Sequence, residues 1–204
     1  MTKLTTLLLD ADGVIQRPSA EFLPSLQALC PYPADAQAFI AEVFRVEKPC
    51  LAGGERFEDA LQSVLDRWQI ATPLPTVLAL WRQIEPIAEV MQHVAALRAA
   101  GVRVCLASNQ QSHRAGIMAE HLDYESQFDE LFFSCHLGFV KPDVRYFTAV
   151  LDALGLPGSA VLFVDDHQHN VDGATAAGIR AERYQHSEGV GAFRAMLDTH
   201  QLTA

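Results

Sequence analysis

The 204-residue chain is half apolar and carries a formal charge of −10, enough to bury one good core with a small appendage, or two modest domains. With 15 Lys and Arg against 25 Asp and Glu and no basic run, it lacks the cationic footprint that nucleic acid or an anionic membrane surface requires. No apolar stretch approaches the roughly 18 residues of a membrane span and no charged-then-apolar leader opens the chain, so the expected compartment is the cytoplasm. There, Cys30, Cys50, Cys105 and Cys135, which share no paired spacing, read as reduced and mostly buried thiols.

The first element is the apolar run Thr5-Thr6-Leu7-Leu8-Leu9, cut off by Asp10-Ala11-Asp12-Gly13. So short a continuous run reads as a strand buried on both faces of a parallel sheet, whose carboxyl end forms a rim where ligands collect. Asp10 and Asp12 can converge there only if a cation or a shared proton relieves their repulsion. A bare turn, capped by Asp10 and formed by Asp12-Gly13, accounts for the same residues.

From Gln16 to about Pro86 no second buried strand is expected. Helical spacing recurs instead in Phe22/Leu26/Leu29, Phe39/Ile40/Val43/Phe44, Phe57/Leu61/Val64/Leu65/Trp68 and Val77/Leu78/Leu80/Trp81/Ile84, punctuated by prolines and by Gly53-Gly54. The simplest account is a helical bundle inserted after the first strand, with Phe39, Phe44, Phe57 and Trp68 as its own core. The alternative is that these helices coat one face of the sheet.

Beyond Pro86 helix and strand alternate. A stripe of Val90, Val94 and Leu97 precedes a strand over 102–107, a helix from about Gln110 to His121, a strand at 131–135, a helix at 142–154 and a strand at 161–164, with Gly155 and Gly178 as helix stops. This rhythm implies right-handed crossovers and a parallel sheet with every strand's carboxyl end on one rim. Two domains are expected: an α/β core from 1–15 and 87–204, and a small helical domain from 16–86.

The residues just past the strands are then Asp10 and Asp12, Ser108 and Asn109, Lys141, and Asp165 and Asp166. Singly, Ser108 reads as a helix N-cap, Lys141-Pro142 as a solvated helix start and Asp165-Asp166 as a turn. Together they have one chemical meaning. Several carboxylates with carbonyls and waters make a hard oxygen site for Mg2+. A hydroxyl and free amides at a helix start, with one lysine, grip phosphate. An aspartate beside both can attack phosphorus, and a second carboxylate can handle the proton.

In order and spacing, Asp10-Ala11-Asp12-Gly13-Val14, Ser108-Asn109, Lys141-Pro142 and Phe163-Val164-Asp165-Asp166 resemble the motifs of the haloacid dehalogenase superfamily across essentially the whole chain. The resemblance implies a Rossmann-like three-layer α/β/α core with a small cap inserted after the first strand. Within it, the segments around Ser108, Lys141 and Asp165 are most similar to bacterial sugar-phosphate phosphatases akin to glucose-1-phosphate phosphatase and to the phosphatase domain of soluble epoxide hydrolase. The implied roles are Asp10 as nucleophile and metal ligand, and Asp12 as general acid and base whose carbonyl also reaches the metal. Ser108 and the Asn109 amide would hold phosphoryl oxygens, which Lys141 would neutralise while orienting Asp10. Asp166 would ligate directly, Asp165 would support it, and Asn170 stands where many relatives carry a further carboxylate.

The expected activity is therefore Mg2+-dependent hydrolysis of a small phosphate monoester, a sugar phosphate among the candidates, through an aspartyl-phosphate. Dehalogenases that resemble this chain lack the second aspartate, and a phosphate-accepting or purely binding module is the non-enzyme alternative. Expected specificity residues are Gln16, Glu47, Gly53, Gly54 and Arg56. His113, His136, His167 and His169 could suggest a transition-metal site, but no thiolate accompanies them. The expected partner is a small phosphate ester, with the chain a monomer or homodimer.

Overall fold

The structure, a computed structural model, describes residues 3–202. Its strands are β1 (Thr6–Leu9), β2 (Gln16–Pro18), β3 (Ile84–Pro86), β4 (Arg103–Ser108), β5 (Glu130–Phe133), β6 (Val161–Asp165) and β7 (Arg180–Arg183). Five form an all-parallel sheet in the order β5-β4-β1-β6-β7, with β1 at its centre. Every residue of β1 is buried, as a strand covered on both faces demands.

The eleven α-helices among the described residues run from α1 (Phe22–Gln27), α2 (Ala36–Cys50), α3 (Phe57–Arg67) and α4 (Leu74–Leu78) through α5 (Ala88–Ala99), α6 (Ser112–Gly116), α7 (Tyr124–Gln127) and α8 (Ser134–Leu137) to α9 (Val144–Leu154), α10 (Gln168–Ala176) and α11 (Val190–Thr199). The two-residue period of β1 sorts them into layers. Leu7 and Leu9 pack in one apolar cluster with Val90 and Val94 of α5 and Phe193 of α11. Leu8 packs in a second, with Tyr146 and Phe147 of α9 and Ala174 of α10. The fold is thus a Rossmann-like three-layer α/β/α sandwich.

Helices α1 to α4 form the inserted segment. Their interior is aromatic: Phe57 and Phe22 meet Trp81 with ring centroids 4.8 and 5.6 Å apart, and Phe39 meets Trp68 at 5.5 Å. This interior is continuous with the Leu7/Leu9 face of the sheet. None of the helices is long and apolar enough to cross a membrane, and all four cysteines are free.

Three details depart from the sequence expectation. Gln16 to Pro86 holds no fully buried strand, but two three-residue strands that were not anticipated, β2 and β3, pair antiparallel as a short ribbon at the root of the insert. Three-residue strands with prolines have no readable periodicity, and these two find each other only across the whole insert. The strand expected at 131–135 ends at Phe133, where Ser134 starts α8. Edge strand β7, with the sequence Arg-Ala-Glu-Arg, and helix α11 after it were not anticipated; a mostly half-buried edge strand carries no apolar run to read.

Candidate active site

β1 delivers Asp10 to the rim, where it is 7% exposed and its backbone N–H donates to Val164 O at 2.9 Å. The chain turns at once: the Ala11 carbonyl accepts from the amides of Val14, Ile15 and Gln16. Gly13 is required in this turn. Its φ is +85°, and a Cβ there would stand 2.4 Å from Asp166 Oδ2.

Lys141 is the electrostatic centre. Its ammonium, buried to 1% of side-chain exposure, lies 2.8 Å from Asp10 Oδ1 and 2.6 Å from Asp165 Oδ2, and donates to Ala107 O at 2.8 Å. All three N–H donors are thereby engaged by protein oxygens. Lys141 therefore orients Asp10 and supplies field, and it can donate to a ligand only by giving up one of these partners. Burial alone would lower its pKa, but Asp10 and Asp165 outweigh burial and raise it. Burial pushes the Asp10 carboxyl up to about 7 against the pull of Lys141, with Asp165 adding to the rise. The loop carrying Lys141 is fixed reciprocally by Asn109, whose Nδ2 donates to Lys141 O and whose Oδ1 accepts from Lys141 N, both at 2.9 Å. Ser108, at the end of β4, is buried and accepts from Gln110 Nε2 at 3.1 Å.

The acidic pair after β6 divides by environment. Asp165 is fully buried and saturated, accepting from Lys141, the His167 amide and both reaches of Asn170 Nδ2. Asp166 keeps 14% side-chain exposure, pairs through Oδ1 with His167 Nδ1 at 2.5 Å and turns Oδ2 toward Gly13. Asn170, also buried, has its Oδ1 without any hydrogen-bond donor. An orphan acceptor beside crowded carboxylates costs about 1–3 kcal/mol unless something positive meets it. Around the rim, four carboxylates gather about Lys141 and Arg114, with His167 paired to Asp166. Hard oxygen donors crowded in this way fit a divalent cation such as Mg2+.

Asp12 lies opposite. Arg114 forks onto it at 2.5 and 2.7 Å, while Gln16 and Gln110 donate at 3.0 and 2.9 Å. Burial would raise its pKa, yet the Arg114 guanidinium reverses this and holds the carboxyl below its ordinary value. Arg114 and Gln110 were missed by sequence reasoning. Gln110 lies in the loop before α6 and Arg114 within that helix, so no periodicity links them; both reach Asp12 only through the fold.

A cavity of about 600 Å³ joins Asp10, Asp12, Ser108, Asn109, Lys141 and Asn170, and is also lined by His167, His169 and, from α2, Lys48 and Leu51. Lys48 is a second unanticipated contributor, a cation offered by the insert. The expected specificity residues scatter. Gln16 is buried under Asp12 and accepts from Tyr124 OH, so it braces Asp12 and does not border the opening. Glu47 borders a neighbouring cavity, accepting from Trp81 Nε1 and Gln111 Nε2 at 3.2 and 3.3 Å. Gly53 closes the turn after α2 against Cys135, a Cβ at Gly54 would meet nothing within 4 Å, and the Arg56 side chain is 73% exposed beside Glu58 and Asp59. The four histidines do not gather at one point: His167 serves Asp166 and stacks edge-on with His169 at 5.3 Å in the catalytic cavity, whereas His113 contacts Leu78 O and His136 packs on Phe133. Of the insert aromatics, Phe39 and Phe57 are core, whereas Phe44 lines the cavity that Glu47 borders.

Residues 4–178 match the family model described as haloacid dehalogenase-like hydrolase. The chain is 34% identical over 85 residues to the GMP/IMP nucleotidase YrfG of Escherichia coli, a match covering 42% of this chain and 38% of that protein. A predicted hydrolase of the same family from Porphyromonas gingivalis superposes with a TM-score of 0.78 at 20% identity, covering 96% of this chain and 98% of that one. A family enzyme of Bacteroides thetaiotaomicron, crystallised with magnesium and inorganic phosphate, superposes at 0.74 and 17% identity over 89% of this chain and 94% of its own. At these identities the superpositions speak for the fold.

Proposed function

Because the chain belongs to the haloacid dehalogenase-like hydrolases, we propose that it is a Mg2+-dependent phosphatase that hydrolyses small organic phosphate monoesters through an aspartyl-phosphate on Asp10. The observation that carries this reading is the oxygen-rich rim beside Lys141: Asp10, Asp165, Asp166 and the orphan Asn170 Oδ1, with a second carboxylate, Asp12, two residues from the first. Mg2+ would be held by the Asp10 carboxylate, the Asp12 carbonyl and Asp166, with Asp165 and Asn170 behind them. Bound there, it would draw charge from the phosphoryl oxygens and screen their repulsion from Asp10.

The chain's own residues do the rest. Lys141 and the fixed loop behind it aim one Asp10 oxygen, and Ser108 with the Asn109 amide receives the phosphoryl group. Asp10 attacks phosphorus and the bond to the leaving oxygen breaks, the electron pair staying on that oxygen. Asp12 supplies its proton. Water then attacks the aspartyl-phosphate and Asp12 takes the water's proton, while the phosphorus bond to Asp10 breaks and releases orthophosphate. The fork from Arg114 favours ionised Asp12 and so suits the second half; the first half requires the carboxyl to gain a proton and loosen from that guanidinium. Residues 16–86 act as the cap that excludes water while the intermediate stands.

A dehalogenase reading is weaker. Halide leaves without a proton and its displacement needs no divalent cation, so it gives Asp12 and the oxygen set nothing to do.

The test is phosphate release from p-nitrophenyl phosphate with Mg2+ or EDTA, and from the Asp10→Asn variant. Mg2+-dependent release that vanishes in Asp10→Asn is expected. Release of halide from a 2-haloacid in EDTA, with no phosphate release in Mg2+, would overturn the reading.

A further inference from the structure

A second cavity of about 360 Å³ adjoins the catalytic one and shares Asp12 with it. It lies between the β2–β3 ribbon and the insert. Pro18, Phe22, Leu23, Phe44, Trp81 and Ile84 make its walls, and Asp12, Arg114, Glu47 and Gln83 are its polar groups, Gln83 Oε1 being buried without a donor. Phe22 faces Phe44 and Trp81 with centroids 6.5 and 5.6 Å apart, so the aromatic wall is continuous. Leu23, 49% exposed, is one of only a few large apolar side chains left open to solvent among the described residues.

Resting on the phosphatase reading above, we infer that this cavity receives the leaving group of the substrate, and that the leaving group is an apolar alcohol, alkyl or aryl, of about ten non-hydrogen atoms. If Asp12 protonates the leaving oxygen, that oxygen must lie within hydrogen-bond reach of its carboxylate. The remainder of the alcohol then continues past Asp12, where the adjoining space is this cavity. A hexose would bring several hydroxyls against walls that are mostly aromatic and aliphatic; Gln83 Oε1 can accept from one, and each hydroxyl left unpaired is costly to bury. An alkyl or aryl group gains from the same walls. Glu47 is tethered at one end of the cavity, where Trp81 Nε1 and Gln111 Nε2 both donate to its Oε1.

The experiment measures kcat/KM with Mg2+ for ethyl, butyl, hexyl and octyl phosphate and for glucose 6-phosphate. In this series the leaving oxygen stays chemically alike while apolar length grows. Efficiency is expected to rise at least about tenfold from ethyl to octyl and to exceed that on the sugar phosphate. Leu23→Lys should cut the octyl-to-ethyl ratio at least about threefold; Phe44→Asn should lower the ratio as well. A flat series, or better turnover of glucose 6-phosphate, overturns the inference. A second arm needs no turnover: in a Trp68→Phe background, 1-octanol should shift Trp81 emission saturably, and Leu23→Lys should weaken the shift. If no ester is hydrolysed, the phosphatase reading fails, and this arm alone decides whether the cavity takes an apolar ligand. No shift overturns it.

Discussion

At the scale of single residues, the rim separates two carboxylates that are neighbours in sequence. Asp10 is buried against Lys141 and pushed up toward neutrality, whereas Asp12 is forked by Arg114 and held low. Under the proposed chemistry the first attacks and the second moves protons. Asp12→Asn should therefore cut turnover of a phosphate ester by about 10²–10⁴. Orthophosphate affinity in Mg2+, followed by calorimetry, should stay nearly unchanged; undiminished turnover would remove Asp12 from the mechanism. Glu47 makes a separate prediction. Burial raises its carboxyl above the ordinary 4.5, although Gln111, Arg114 and Trp81 pull the other way. A carboxyl raised on folding contributes stability that is fully present below pH 4.5 and is lost as pH climbs through the raised value. Glu47→Gln keeps the accepting oxygen and removes the charge. Its melting temperature should match the parent near pH 4 and exceed it near pH 8, and an equal loss at both pH values would contradict the burial argument.

At the scale of elements, the insert is tied to the sheet's rim by short contacts at one turn. After α2, Leu51 O accepts from Ser134 Oγ at 2.6 Å, and Ser134 Oγ in turn accepts from the Gln110 amide at 3.0 Å. A polar pin thus links the insert, α8 and the loop beyond β4. Gly53 sits beside it with φ +74°, and a Cβ there would stand 2.3 Å from Cys135 O. Gly53→Ala should destabilise the protein by about 2 kcal/mol or more, from left-handed backbone strain and the clash together. Gly54→Ala, which meets nothing within 4 Å, should stay within about 0.5 kcal/mol of the parent. Urea unfolding of the pair checks this, and equal effects would show that the turn does not hold the insert down. Adjacent glycines look alike in sequence; only the approach of Cys135 tells them apart.

At the scale of the whole molecule, one sheet brings five chain segments to a single rim and leaves that rim crowded with carboxylates. Such a site should stabilise the fold when a cation enters it. At roughly a hundred times its dissociation constant, a ligand of the native state adds about 2.7 kcal/mol, which for a chain of this length raises the melting temperature by about 5–10 °C. Mg2+ with orthophosphate should give a rise of this order by differential scanning fluorimetry, EDTA should abolish it, and Asp166→Asn should reduce it.

The layered fold was legible because a parallel strand buried on both faces must be a short apolar run, and β1, β4 and β6 are such runs. Each ends in polar residues whose common rim follows from the parallel order, so the meeting of Asp10 and Asp165 could be anticipated from strand ends, whereas Lys141 arrives from the loop between α8 and α9. What tertiary structure decided is everything set by partners distant in sequence: the β2–β3 ribbon closing across the insert, the fork of Arg114 on Asp12, the engagement of all three Lys141 donors, and the apolar cavity beside Asp12. Periodicity records which face of an element is buried. It does not record which side chain from a distant segment arrives there, because that depends on how separate elements pack in three dimensions.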